Sequence, residues 1–533
     1  MRALSRMISK PRTLLVLLLS LLALKAGLNL VHAVLVEAMN RDYGHSDNAL
    51  YLGVGRSLLN GLSPYRDVFE DKPPGIFFVA AFSLWASGGV VLASLLQAAV
   101  IGSIPFILIG AVRRRLRAQD RAMRVTLLLT FLFGVLLALF ASAGAGQFQT
   151  ESFGAMFGVL YAHVLFVQAK SKRRWRLIAS ASVCVLGAIA FKESFVLSLG
   201  AVALIFSDSL ESFLEQFGIP LVVAMTMGAI LLQIFGYFSP YLTTYLSYLL
   251  NEHGVYLRNI GVQTPLWMRG FFFRDSLASL PHLNPFFASL IGALLLVVPL
   301  LPLLEYDPSL PRRKSLLPRL CRFLAVCYLT VLSVELAGAT MHQQVVALPV
   351  YAALFLTLIP YLHRLFAEAH RTRFSLVRPM IVLLIAVAVL YTPLVMPWQG
   401  LGNFSESNDH ARSIAAEIDG VLDRCQFDRY VSLSIFGDQF YAYTRHSPLP
   451  IGPMQTALSQ KMEVSTFRQM IVESLVDAPL IVLKNGDMLH PSLVDYIQTR
   501  FERRSPRCAG SVHLPSTIVL LFRKNAGNTK ILR

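Results

Sequence analysis

Of 533 residues, 55% are hydrophobic and only 15% are charged, a balance that cannot be arranged as one soluble core under a polar coat. The formal net charge of +17 does not mark a nucleic-acid binder, because Lys and Arg gather in short clusters between apolar runs, at Arg113–Arg117, Lys170–Arg176, Arg312–Arg322 and Arg364–Arg378. Such clusters mark the cytoplasmic loops of a polytopic membrane protein.

The chain opens with Arg2, Arg6, Lys10 and Arg12, followed by a mainly apolar run from about Leu14 to Val36. The run is long enough to cross a bilayer and too long for the core of a cleaved signal, so it reads as a signal anchor. Spans are predicted near 14–37, 89–112, 125–142, 150–168, 177–191, 194–207, 217–236, 286–304, 323–339, 345–362 and 379–396. With the amino terminus inside, this set places every basic cluster in the cytoplasm. The expected fold is an all-α polytopic membrane domain of about 11 transmembrane helices over residues 1–397. Residues 75–87 are too short to cross and would turn the Arg113 cluster outward, so an interfacial or re-entrant helix is expected there. Residues 177–207 are expected as two short spans, since one long helix would carry Lys192 and Glu193 into mid-membrane.

The external loop 38–88 holds dense polar chemistry. Ser46 or Asp47 can cap a helix whose apolar positions Leu50, Tyr51, Val54, Leu58 and Leu59 recur at helical spacing, ending at Asn60-Gly61. Asp47 is then either a cap alone or a functional acid fixed at a helix start. Pro73 favours extended backbone at Lys72, and a Pro-Pro pair suits the first turn of the next helix. Lys72 would stand beside a helix amino terminus, where an ammonium and backbone N–H groups suit a lipid phosphate. The plainer alternative is that it snorkels or pairs with Asp71.

Three further segments fall on the outer side: 143–149, 237–285 and everything after about Trp398. Glu151 begins a span, either as a solvated acid favoured by the helix dipole or as a functional carboxylate. Lys192 and Glu193 are expected to neutralise each other at a turn, and Glu335 to pair with His342 or a loop arginine. The aromatics of the long loop (Tyr237, Tyr241, Tyr245, Tyr248, Tyr256, Trp267 and Phe271–Phe273) suit helices lying in the headgroup layer. In residues 398–533, apolar runs at Tyr430–Phe436, Pro479–Leu483 and Thr517–Phe522 alternate with polar helical stretches. A small extracytoplasmic α/β domain is expected. Three of the five cysteines lie in or beside apolar spans, leaving Cys425 and Cys508 in the polar tail as the candidate pair. The absence of an internal repeat weighs against an inverted-repeat transporter.

The order acidic residue, amphipathic helix, Asn-Gly-x-x-Pro-Tyr (60–65), then acid-Lys-Pro-Pro-Gly (71–75) resembles the first external loop of C-superfamily membrane glycosyltransferases. That group contains the protein O-mannosyltransferases and the lipid A aminoarabinose transferase. Weaker likenesses follow along the chain: Glu151 after Gln149-Thr150, a Gly-Ala-Ile-Ala-Phe run ending at Lys192, His342 before Leu348-Pro349, and the extracytoplasmic tail. The resemblance implies inverting transfer of a sugar from a polyprenyl phosphate to an acceptor at the outer membrane face. It makes Asp47 the base or acceptor-orienting acid, Asp71 the acid before the lysine with Glu70 competing, Glu151 the second-loop acid, and Lys72 the donor-phosphate residue. Where many relatives carry a polar or acidic residue after the first acid, this chain has Asn48, which leaves metal use open.

The chemistry stands independently of the family. Displacing a lipid phosphate from an anomeric carbon needs a carboxylate on the acceptor hydroxyl and cations on the departing phosphate. Asp47 and Lys72 can supply both, with Arg66, Arg258 or Arg269 as a second cation. No cofactor is demanded; His45 with Asp47, or Glu151 with His342, are suitable ligand types for a divalent metal, though nothing in their spacing requires one. The partners expected are a polyprenyl-phosphate sugar, a lipid, glycan or protein acceptor, and membrane lipids, in a bacterial inner membrane. A transporter of a lipid-linked sugar would want charges reaching the cytoplasmic half, whereas here the candidates crowd one side. A noncatalytic assembly protein would make the loop acids dispensable.

Overall fold

A computed structural model of the chain describes residues 47–68, 70, 72–86, 89–116, 121–143, 148–168, 173–249, 312–337, 343–372, 405–433, 443–448, 478–484, 491–503, 507–514 and 518–524, with scattered positions besides. Among the described residues, five helices are long and apolar enough to cross a membrane: Leu92–Leu116, Thr150–Gln168, Arg174–Phe191, Leu210–Ile234 and Val345–Arg364. Val222, Met225, Ile230 and Ile234 of the fourth are exposed, an apolar face suited to hydrocarbon. Composition and helices together define a polytopic membrane protein. The expected spans at 286–304 and 379–396 lie outside the described residues, as does the one at 14–37 apart from a few positions.

Two helices run well past the apolar runs that predict them. The span expected at 89–112 is a helix over Gly89–Leu116, and the one at 345–362 continues to Thr372. Arg and Lys are good helix formers and carry the last turns out of the apolar layer. The run 177–207 breaks at Lys192, whose backbone is extended (φ −160°, ψ 127°) between helices Arg174–Phe191 and Phe195–Phe206. The second has 12 residues, a length of about 18 Å that falls short of a bilayer core of about 30 Å. The span expected at 194–207 is therefore too short to cross alone.

The chain divides into two compact units, Met1–Val36 with Leu95–Gly228 and Thr264–Gln399, and Glu37–Ser94 with Ala229–Gln263 and Gly400–Arg533. In the first, glycines let helices meet at close range. A Cβ at Gly158 would lie 2.2 Å from Pro349 Cγ, and one at Gly134 2.5 Å from Pro105 Cα. Phe133 stacks on Phe355 at 4.0 Å between ring centroids.

In the second unit, helices Asp47–Leu59 and Gly75–Trp85 approach so closely that a Cβ at Gly55 would sit 2.7 Å from the Ala81 nitrogen. Of the predicted apolar positions, Leu50, Tyr51 and Val54 are buried and Leu59 is 41% exposed. The carboxyl-terminal segment builds a mixed sheet of order β2-β1-β3-β5-β4, from β1 (Arg429–Ser432), β2 (Ser447–Pro448), β3 (Leu480–Lys484), β4 (Phe501–Glu502) and β5 (Ile518–Arg523). β1 runs parallel to β2 and β3, whereas β5 is antiparallel to β3 and β4. Alternation sends Tyr430, Leu480, Val482 and Phe522 to one core with Ile418 and Leu422 of helix Ser405–Cys425. It sends Val431, Ile481 and Leu521 to the other with Leu493 and Ile497 of helix Pro491–Arg500. Both faces of the sheet are thus covered. Cys425 and Cys508 form a disulfide, and Arg424 donates to the Ala509 carbonyl at 2.7 and 3.0 Å. Within this unit Asn60 Nδ2 donates to the Arg445 carbonyl at 3.1 Å, and Asp419 accepts from the Arg445 N–H at 2.9 Å.

Candidate functional site

Asp47 is the first residue of helix Asp47–Leu59. The helix stops at Asn60, whose N–H bonds the Arg56 and Ser57 carbonyls, and Gly61 takes the left-handed conformation (φ +81°) that a glycine adopts without a steric penalty. The chain then folds into a tight turn. Asp67 Oδ2 accepts from the Ser63 N–H at 2.8 Å, the Asp67 N–H returns to the Ser63 carbonyl at 2.9 Å, and the Tyr65 N–H donates to Val68 at 2.6 Å. Tyr65 at the apex has φ +65°, a conformation that costs an L-residue about 1–2 kcal/mol. Its hydroxyl donates to the Lys72 carbonyl at 2.7 Å.

Arg66 lies next along the turn and is 62% exposed. Its Nε and Nη2 reach Asp67 Oδ1 and Oδ2 at 3.0 and 2.8 Å, a bidentate fork. Burial pushes the Asp67 carboxyl upward, but the Arg66 fork, the Ser63 N–H and the charges of Arg66 and Arg429 outweigh it and leave the group below the usual carboxylate range. Asp67 in turn raises Arg66. Glu70 is buried and Lys72 half-buried. Pro74 stands at the amino-terminal cap of helix Gly75–Trp85 without a side-chain cap, and its carbonyl accepts from the Phe77 and Phe78 N–H groups at 3.1 and 3.2 Å. The tyrosines expected in the headgroup layer are partly spent on protein instead. Tyr245 and Tyr248 are buried, and the rings of Tyr241 and Tyr245 pack on Tyr65 at 5.7 and 4.9 Å.

In the first unit Glu151 opens helix Thr150–Gln168 and is 2% exposed, so it is not a solvated helix-start acid. Lys192 Nζ meets Glu151 Oε1 at 2.6 Å and Thr150 Oγ1 donates to Oε2 at 2.9 Å. The lysine side chain is 12% exposed. Lys192 therefore pairs across helices with Glu151, not with its neighbour Glu193 as expected, because the backbone turns extended at Lys192 and presents the ammonium to the start of the adjacent helix. Beside the pair, the Gln149 N–H donates to Gln97 Oε1 at 2.9 Å.

Asp71, Arg258, Arg269, His45 and His342 lie outside the described residues, as does the side chain of Glu335. Among the described residues no three His, Cys, Asp or Glu side chains gather as a metal site. Asp67 as the core of the turn went unread in the sequence, although its spacing of four from Ser63 signals it, and Tyr65, the last residue of the Asn-Gly-x-x-Pro-Tyr motif, was given no role of its own.

No family model matches the chain, and no curated protein does. Solved structures that are similar include ArnT from Cupriavidus metallidurans bound to undecaprenyl phosphate, at 15% identity and TM-score 0.48, and the same protein in the apo state, at 14% and 0.44. Each match covers 94% of this chain and 97% of the other. Likeness at that level carries no activity from one chain to the other.

Proposed function

We propose that this chain is an integral-membrane glycosyltransferase that moves a sugar from a polyprenyl-phosphate donor to an acceptor at the outer face of the membrane, with inversion. The acceptor hydroxyl oxygen attacks the anomeric carbon while its proton passes to a carboxylate, for which Asp47 is the first candidate and Asp71 and Glu151 are the others. The bond from the anomeric carbon to the phosphate oxygen breaks, and its electron pair leaves on the phosphate, where the Lys72 ammonium and the first N–H groups of helix Gly75–Trp85 stabilise it. A phosphodiester leaves readily, so no obligatory general acid is needed.

The observation that carries this reading is the seat of Lys72, half-buried, fixed at its carbonyl by Tyr65 and set just before the proline-capped start of a helix. The motif order of loop 38–88 supports the same assignment. Residues 398–533 are proposed as an extracytoplasmic domain that serves acceptor binding.

Transfer of radiolabelled sugar in membranes loaded with polyprenyl-phosphate sugars tests the proposal, comparing wild type with Asp47→Asn and Lys72→Ala at matched expression. Loss of about 10²–10⁴ in rate for Asp47→Asn, with donor binding retained, is the expected result for a general base. Undiminished transfer would shift the role to Glu151, and absence of transfer by the wild type would remove the enzyme reading.

A further inference from the structure

Tyr65 moves no proton and stabilises no charge in the scheme above, yet the chain holds it under strain. Its φ of +65° is a conformation that glycine would take without penalty, whereas a tyrosine there must be compensated by what its side chain does. The ring is fully buried among Phe77, Tyr241 and Tyr245, at 6.4, 5.7 and 4.9 Å between centroids. Tyr241 and Tyr245 belong to a π-helical turn, Tyr241–Leu246, and their own rings lie 5.0 Å apart. Wide turns of that kind recur at functional sites. From this clamped ring the hydroxyl donates to the main-chain carbonyl of Lys72 at 2.7 Å.

We infer that Tyr65 is the positioning residue for Lys72: its hydroxyl pins the lysine's backbone, and the Tyr241–Tyr245 turn holds the ring that carries the hydroxyl. The inference rests on the reading of Lys72 as the donor-phosphate residue. A pinned carbonyl fixes the point from which a long, rotamer-rich side chain departs, which cuts the ordering cost of each phosphate contact. Tyr65→Phe keeps the ring packing and removes only the oxygen.

Binding of a polyprenyl monophosphate to the purified full chain in nanodiscs is measured for wild type, Tyr65→Phe, Lys72→Ala and the double variant. Tyr65→Phe is expected to weaken binding about five- to tenfold, the scale of one lost hydrogen bond. In the Lys72→Ala background the same change is expected to have less than about a twofold further effect, since the two residues act as a unit. An equal loss in both backgrounds would make Tyr65 merely structural and overturn the inference, as would no loss in either. Amine acylation of Lys72, followed by peptide mass spectrometry, decides the positioning without the donor. A Lys72 rate raised by Tyr65→Phe, with other lysines unmoved, supports pinning; an unchanged rate overturns it. If Lys72→Ala binds the phosphate normally, the phosphate-site reading falls by itself, and the acylation rate still judges Tyr65.

Discussion

An ammonium and a carboxylate closed off from water cannot be replaced one at a time without leaving a bare charge. Glu151→Gln or Lys192→Met alone is expected to cost about 3–5 kcal/mol, whereas the two together recover most of that loss. Thermal unfolding of the four proteins in detergent checks this, and the double variant has a second use. If it is stable but inactive in transfer, the pair serves the reaction as well as the fold. Asp67 gives a pH prediction. A carboxyl held below its ordinary value of 3.8 adds stability above that pH and loses it as the pH falls through the lowered pKa. Unfolding curves for wild type and Asp67→Asn should therefore be separated near neutrality and converge on acidification below about pH 4. The candidate site was only partly legible from residues. Lys72 and its prolines announce themselves in sequence, but the partner of Lys192 sits 41 positions away while a carboxylate stands next door at Glu193. Linear proximity favoured the neighbour, and the meeting of a helix end with another helix start decided the matter.

Helices were easier to read than their contacts. Hydropathy and basic clusters located helix Thr150–Gln168 at both ends, because crossing an apolar layer demands a minimum length and excludes charge. Which faces touch depends on side-chain and backbone fit that no periodicity encodes, and glycine shows it best. At Gly158 a Cβ would meet Pro349 Cγ at 2.2 Å, whereas at Gly102 nothing lies within 4 Å. The same substitution should thus have opposite signs at the two sites. Gly158→Ala is expected to destabilise by about 1–3 kcal/mol through overpacking, and Gly102→Ala to stabilise by about 0.5–1 kcal/mol through lost backbone freedom in the unfolded chain. Midpoints from thermal unfolding, taken in one detergent, measure both.

At the scale of the molecule, the sheet and the helix before it are joined by Cys425 and Cys508, 83 residues apart. A loop of that length makes the bond worth about 2–5 kcal/mol. Cys508→Ser should lower stability by that amount and abolish the mobility difference between reducing and non-reducing gels; wild type running identically in both would exclude the bond. The second unit is also assembled from three separated stretches of chain, Glu37–Ser94, Ala229–Gln263 and Gly400–Arg533. The hydrogen bond from Asn60 to Arg445 spans 385 positions. At about 5–20 residues per second, translation of that interval takes about 20–80 s. The loop proposed to bind the lipid phosphate therefore leaves the ribosome long before the Arg445 segment exists, and the second unit can close only during the last quarter of the chain's synthesis.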